Sequence, residues 1–161
     1  VDYPVVKYSD NEFYLHKNFN KEYQFSGIPF LDYQSNDESV NKIIYAHNMK
    51  NGTMFASLAD YEDKSFYDAH KNIMYDTLYD KGEYEIVYAF TTKVGASNEF
   101  KYYNYADIES EERFNEYVTQ AKSRSFYDTG VNTVYGDSLI TLSTCAYHTS
   151  NERFVVIARK K

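Results

Sequence analysis

Between Glu83 and Val94, apolar residues fall at every second position: Tyr84, Ile86, Tyr88 and Phe90. That is the period of a strand with one face turned to a core. A chain organised around such a segment is strand-rich, and the aromatic content agrees. Tyr 19 and Phe 11 supply many β-formers, while Gly 6 and Pro 2 argue against disorder. At 161 residues, without repeats, low-complexity tracts or a Gly/Pro/Ser linker, one domain spanning 1–161 with one core is expected.

The rest of the chain supplies further short strands. Asp2 to Val6 reads as extended, because Pro4 steers Tyr3 away from helix. Asn11 to Phe19 allows a helical turn or two, and Phe25 to Tyr33 reads as a strand bent at Gly27. Lys42 to Ala46 has a buried-strand pattern that ends at His47, and Asn51-Gly52 marks a turn. Met54, Phe55, Leu58 and Tyr61 have helical spacing, and Ser65 is placed to cap a short helix carrying Phe66 and His70. Ser110, followed by Glu111 and Glu112, opens a longer amphipathic helix to about Lys122, with a stripe of Phe114, Tyr117, Val118 and Ala121. Ser138 to Cys145 and Arg153 to Ala158 read as two last strands. The pattern predicts an all-β barrel or sandwich with helical decorations.

Composition excludes several functions. A formal net charge of −7 repels phosphates, so no nucleic-acid partner is expected. A lone cysteine forms no intrachain disulfide, and one thiol with four scattered histidines makes a poor zinc site. No apolar run approaches the roughly 20 residues that span a bilayer. There is no signal peptide and the first residue is Val1, so the chain is expected to be the trimmed soluble portion of a protein whose anchor lay upstream.

The chemistry-bearing residues gather near the C-terminus. In Thr141-Leu142-Ser143-Thr144-Cys145 the cysteine ends a strand beside small hydroxyl residues, which leave room for a peptide. Arg153 lies eight positions later, across the polar segment Tyr147 to Asn151. A hairpin symmetric about Thr149 sets Arg153 opposite Cys145, where a guanidinium can hold a thiolate or an oxyanion. For a base, spacing leaves His16, His47, His70 and His148 open. His148 is nearest in sequence, and His47 ends a hydrophobic strand.

These segments resemble the sortase family. Thr141-Leu142-Ser143-Thr144-Cys145 is similar to its T-L-x-T-C signature, Arg153 to Ala158 to its arginine strand, and Ile44-Tyr45-Ala46-His47-Asn48-Met49 to its histidine segment, with Ala46 where glycine is common. Asp2 to Val6, Asn11 to Phe19, Phe30 to Tyr33, Gly52 to Phe55 and the helix near 110–122 resemble class B members. The resemblance implies a closed β-barrel of about eight strands and a cysteine transpeptidase without metal or other cofactor. Cys145, His47 and Arg153 are then catalytic, and Asn11, Leu15, Ser143 and Thr144 line the substrate groove. The implied partners are the sorting peptide of a surface protein and a peptidoglycan precursor amine. The implied location is the outer face of a Gram-positive membrane or its wall, with membrane contact only through the upstream anchor. Two alternatives share these residues: a hydrolytic cysteine peptidase on the same fold, and a non-catalytic, aromatic-rich binding module at the cell surface.

Overall fold

The computed structural model describes residues 2–95, 98–145 and 151–161, with Cys145 described by its backbone alone. Among these residues seven strands make one sheet: β1 (Val6–Lys7), β2 (Phe30–Leu31), β3 (Asn41–Tyr45), β4 (Asn72–Met74), β5 (Glu83–Lys93), β6 (Leu139–Cys145) and β7 (Glu152–Lys160). Their order across the sheet is β1-β2-β3-β6-β7-β5-β4. β1 and β2 run parallel, as do β3 and β6, and the remaining neighbours are antiparallel. The architecture is the expected mostly-β one, but the sheet is a curled half-barrel rather than a closed ring. Its edges, β1 and β4, are two and three residues long and do not pair with each other. The strand expected over Phe25 to Tyr33 shortens to Phe30–Leu31, after a left-handed turn at Gly27 (φ 57°).

β5 departs from simple alternation. It pairs with β7 through Ile86↔Ala158 and then Tyr88↔Ile157, so Val87 is an extra residue in the ladder. A bulge of one residue reverses which side of the sheet each later side chain faces. Tyr84 and Ile86 therefore join one core, whereas Tyr88 and Phe90 join the other. The freed Val87 carbonyl accepts from Thr129 Oγ1 at 3.0 Å.

Apolar layers cover both faces. On one, Ile44, Ile86, Ile140, Leu142 and Val156 pack against Phe55, Leu58, Tyr61 and Tyr67. The covering pieces are a 3-10 helix, Ala56–Glu62, and α1 (Lys64–Ala69). Asp63, not Ser65, caps α1: its carboxylate accepts the Ser65 N–H at 2.7 Å. A carboxylate oxygen two residues upstream reaches a free N–H of the first turn, which Ser65, already helical, does not. On the other face Val87, Phe90, Leu139, Val155 and Ile157 pack against α2 (Glu111–Arg124) through Phe114, Tyr117 and Ala121. Ser110 caps α2 by accepting from the Arg113 N–H at 3.2 Å. Each fully buried Phe or Ile in these layers contributes about 2 kcal/mol of transfer free energy. β6 is gripped on both sides by β3 and β7, so its C-terminal end is a firm platform.

Candidate active site

The site is built at the ends of β3 and β6 and the start of β7. β6 and β7 pair as far as Cys145↔Arg153, the register expected from a hairpin symmetric about Thr149. On the other flank β3 runs parallel to β6, and their pairing reaches Tyr45↔Ser143. One more bond, from Ala46 N–H to the Ser143 carbonyl at 3.2 Å, continues the pairing past the end of β3. His47 and Cys145 are each two residues beyond that last pair. Parallel pairing thus delivers a histidine to one side of Cys145 and antiparallel pairing an arginine to the other.

A groove of about 320 Å³ opens here, and Asn11, Leu15, His47, Ser143, Thr144 and Arg153 all line it. Phe30, Tyr45, Val94, Tyr102 and Tyr103 complete most of the wall. The 3-10 helix Phe13–His16 brings Leu15, and its neighbour Asn11 is locked by two bonds. Asn11 Nδ2–H donates to Asp32 Oδ2 at 2.9 Å, and Asn11 Oδ1 accepts from the Tyr33 N–H at 3.0 Å. The Tyr45 hydroxyl donates to the same Asp32 oxygen at 2.9 Å. Burial, then the neighbouring Tyr102 and Asp32, hold the Tyr45 phenol neutral far above its ordinary range.

The His47 ring donates from Nε2 to the Leu15 carbonyl at 2.8 Å, because a carbonyl only accepts. The neutral ring therefore keeps its lone pair on Nδ1. Its backbone carbonyl accepts from the Phe55 N–H at 3.0 Å, which ties it to the far side of the Asn51-Gly52 turn. Arg153 donates from Nη1 to the Glu152 carbonyl at 3.1 Å. Ser143 and Thr144 differ sharply. The Ser143 hydroxyl is bonded to the Tyr102 hydroxyl at 2.7 Å. Thr144 Oγ1 is buried and has no hydrogen-bond partner among the described residues.

Of the other histidines, His70 is away from the groove, stacked on Phe66 at 4.2 Å. His16 lies against His47 with ring centroids 5.2 Å apart. His148 is outside the described residues. Among the described residues no three His, Cys, Asp or Glu side chains converge as metal ligands. Tyr45, Tyr102 and Tyr103 are groove residues that sequence reasoning misses. Their sequence signal is only that of core aromatics.

A family model described as Sortase domain matches residues 1–161. The chain belongs to the sortase family, and within it to class B. It is 37% identical over 147 residues to sortase B of Listeria monocytogenes, a match covering 90% of this chain and 58% of that protein. The chain thus spans less than two thirds of that relative's length. A Staphylococcus aureus sortase B–substrate complex superposes with a TM-score of 0.88 at 31% identity, covering 99% of this chain and 73% of the other. A sortase B complexed with triglycine gives the same TM-score and identity, covering 99% and 74%.

Proposed function

We propose that the protein is a cysteine transpeptidase that cuts a sorting peptide and joins it to a cell-wall amine. The observation that carries this reading is the register that pairs Cys145 with Arg153 on β6 and β7, with His47 two residues past the end of the adjoining, parallel β3. In the first half-reaction the Cys145 thiolate attacks the carbonyl carbon of a threonine in the sorting motif. Arg153, with backbone N–H groups near Cys145, holds the negative charge that develops on the carbonyl oxygen. The C–N bond breaks, His47 gives a proton to the departing amine, and a thioester remains on Cys145. In the second half-reaction a peptidoglycan amine attacks the thioester and yields its proton to His47. A new amide forms and the thiolate is restored.

Asn11, Leu15 and Thr144 contact the peptide, with Asn11 and Leu15 as one wall of the groove. Ser143, which also lines the groove, contacts the peptide while its hydroxyl stays bonded to Tyr102. The relatives solved with a substrate and with triglycine support a peptide donor and an amine acceptor. The work is assigned to the outer face of a Gram-positive membrane or its wall, and residues 1–161 act as one catalytic domain without metal. Among the described residues no helix is long and apolar enough to cross a membrane.

Intact-protein mass spectrometry tests the reading. The protein and a Cys145→Ala control are incubated with peptides bearing candidate sorting motifs, and a glycine-type amine is then added. An acyl adduct on Cys145 that the amine converts to a ligated peptide is the expected result. An adduct that only water resolves identifies a hydrolase. An unreactive thiol with every motif rejects catalysis.

A further inference from the structure

The residue facing His47 has no part in the chemistry above, yet it is held at several points. One hydrogen bond, Nε2–H to the Leu15 carbonyl, fixes an edge of the His47 ring but leaves it free to swing about that bond. A second restraint has to act on the face. His16 provides it: the two imidazoles stack at 5.2 Å with 24° between their planes. Leu15 and His16 are consecutive in one 3-10 helix, so a single turn of chain supplies both restraints.

His16 is itself pinned. Its Nδ1–H donates to the Phe25 carbonyl at 2.9 Å, and its own carbonyl accepts from the Gln24 N–H at 3.0 Å. Two aromatic rings contact it as well: Phe25 at 5.9 Å and 28°, and Tyr23 at 6.4 Å and 31°. Tyr23 and Phe25 are 77% and 68% exposed, so neither serves a core. Their arrangement around His16 gives these costly exposed aromatics a purpose.

We propose that His16 is a positioning residue for His47, its flat ring forming the wall that keeps the His47 imidazole in its working orientation. The inference rests on the assignment of His47 as acid and base. Misplacing a catalytic group by a fraction of its reach lowers the rate of the chemical step without changing substrate binding.

Three variants separate the ring from its hydrogen bond. His16→Phe keeps a flat ring and loses the Nδ1 donor. His16→Asn keeps a donor towards the Phe25 carbonyl and loses the ring. His16→Ala loses both. The first readout is the line width of the His47 Hε1 signal in the substrate-free protein labelled with ¹³C-histidine, assigned by His47→Ala. The second is the rate of thioacyl formation with a sorting peptide, resolved into kcat and KM. A sharp His47 signal is expected in wild type and His16→Phe, and a broadened or doubled one in His16→Asn and His16→Ala. The kcat for acylation is expected to fall about tenfold in the latter two with KM unchanged, and to stay near wild type in His16→Phe. A sharp, single His47 signal in His16→Ala overturns the proposal whatever the rates. So does a loss in His16→Phe as large as in His16→Ala. A broadened His47 signal with an unchanged rate keeps the positioning role and instead removes His47 from the chemistry.

Discussion

Thr144 is 2% exposed, lines the groove, and holds a hydroxyl with no partner among the described residues. Leaving such a group unpaired inside a protein costs about 1–3 kcal/mol. Its neighbour Ser143 carries no such cost, since Tyr102 satisfies it at 2.7 Å. Under the proposed function, the unpaired Thr144 hydroxyl, one residue before Cys145 and on a residue that lines the groove, is the one assigned to a bound peptide. Thr144→Val keeps the shape and removes the oxygen. The two effects then have opposite signs: thermal stability should be equal to or above that of the parent, while acylation of Cys145 slows several-fold, chiefly through a higher KM. Calorimetry and peptide titration measure both. A variant that is less stable and equally active would assign the hydroxyl to the fold rather than to the substrate.

Individual strands and helices are tied together by polar bonds inside an apolar layer. Asn41 Oδ1 accepts from Thr141 Oγ1 at 2.7 Å, so the Tyr117 hydroxyl, also at 2.7 Å, donates to Thr141. Asn41 Nδ2–H donates onward to the Tyr105 carbonyl at 2.9 Å. The chain of bonds links β3, β6, α2 and the 3-10 helix Tyr102–Tyr105, and Asn41, Tyr117 and Thr141 are fully buried. Thr141→Val strands the Tyr117 hydroxyl and one bond of Asn41, for an expected loss of about 1–3 kcal/mol. Ser110→Ala removes only the exposed α2 cap and should cost about 1 kcal/mol. Chemical denaturation of both variants ranks them, and equal losses would mean that the buried chain is not a strong tie. Elements of this kind divide cleanly by what a sequence can show. The α2 cap and the pairing of β6 with β7 are local and their residue patterns reveal them, whereas the β6–β7 register rests on assuming symmetry about Thr149, which the pairing Cys145↔Arg153 matches. The Val87 bulge adds one residue to an unbroken alternating run, so no pattern exposes it. On spacing alone His47 is one of four histidines. What sets it beside Cys145 is parallel pairing between strands about a hundred residues apart, which spacing does not encode. The hydroxyl chain through Asn41, Tyr117 and Thr141 is hidden for the same reason.

At the scale of the whole molecule, the abundance of tyrosine gives the fold a particular weakness in alkali. Burial pushes Tyr61 up to about 12. Tyr45, Tyr117 and Tyr127 are also driven above the ordinary phenol range, with burial as the main cause in each. In the unfolded chain these groups ionise near pH 10. Above that pH the folded protein holds protons that the unfolded chain has lost, so stability declines as pH rises. The contribution is fully present below about pH 10 and disappears as pH climbs through the folded-state values. Tyrosinate absorbance should therefore rise in two stages. The first stage is expected with the fold intact. A second rise should coincide with loss of the far-ultraviolet β signal, because the buried phenols ionise only when the two layers open. Tyr61→Phe removes one of these groups and should shrink the second stage by one tyrosine without moving the first. A single wave near pH 10 with the β signal preserved would show that solvent reaches the buried phenols without unfolding, and would remove tyrosine ionisation as the cause of alkaline unfolding.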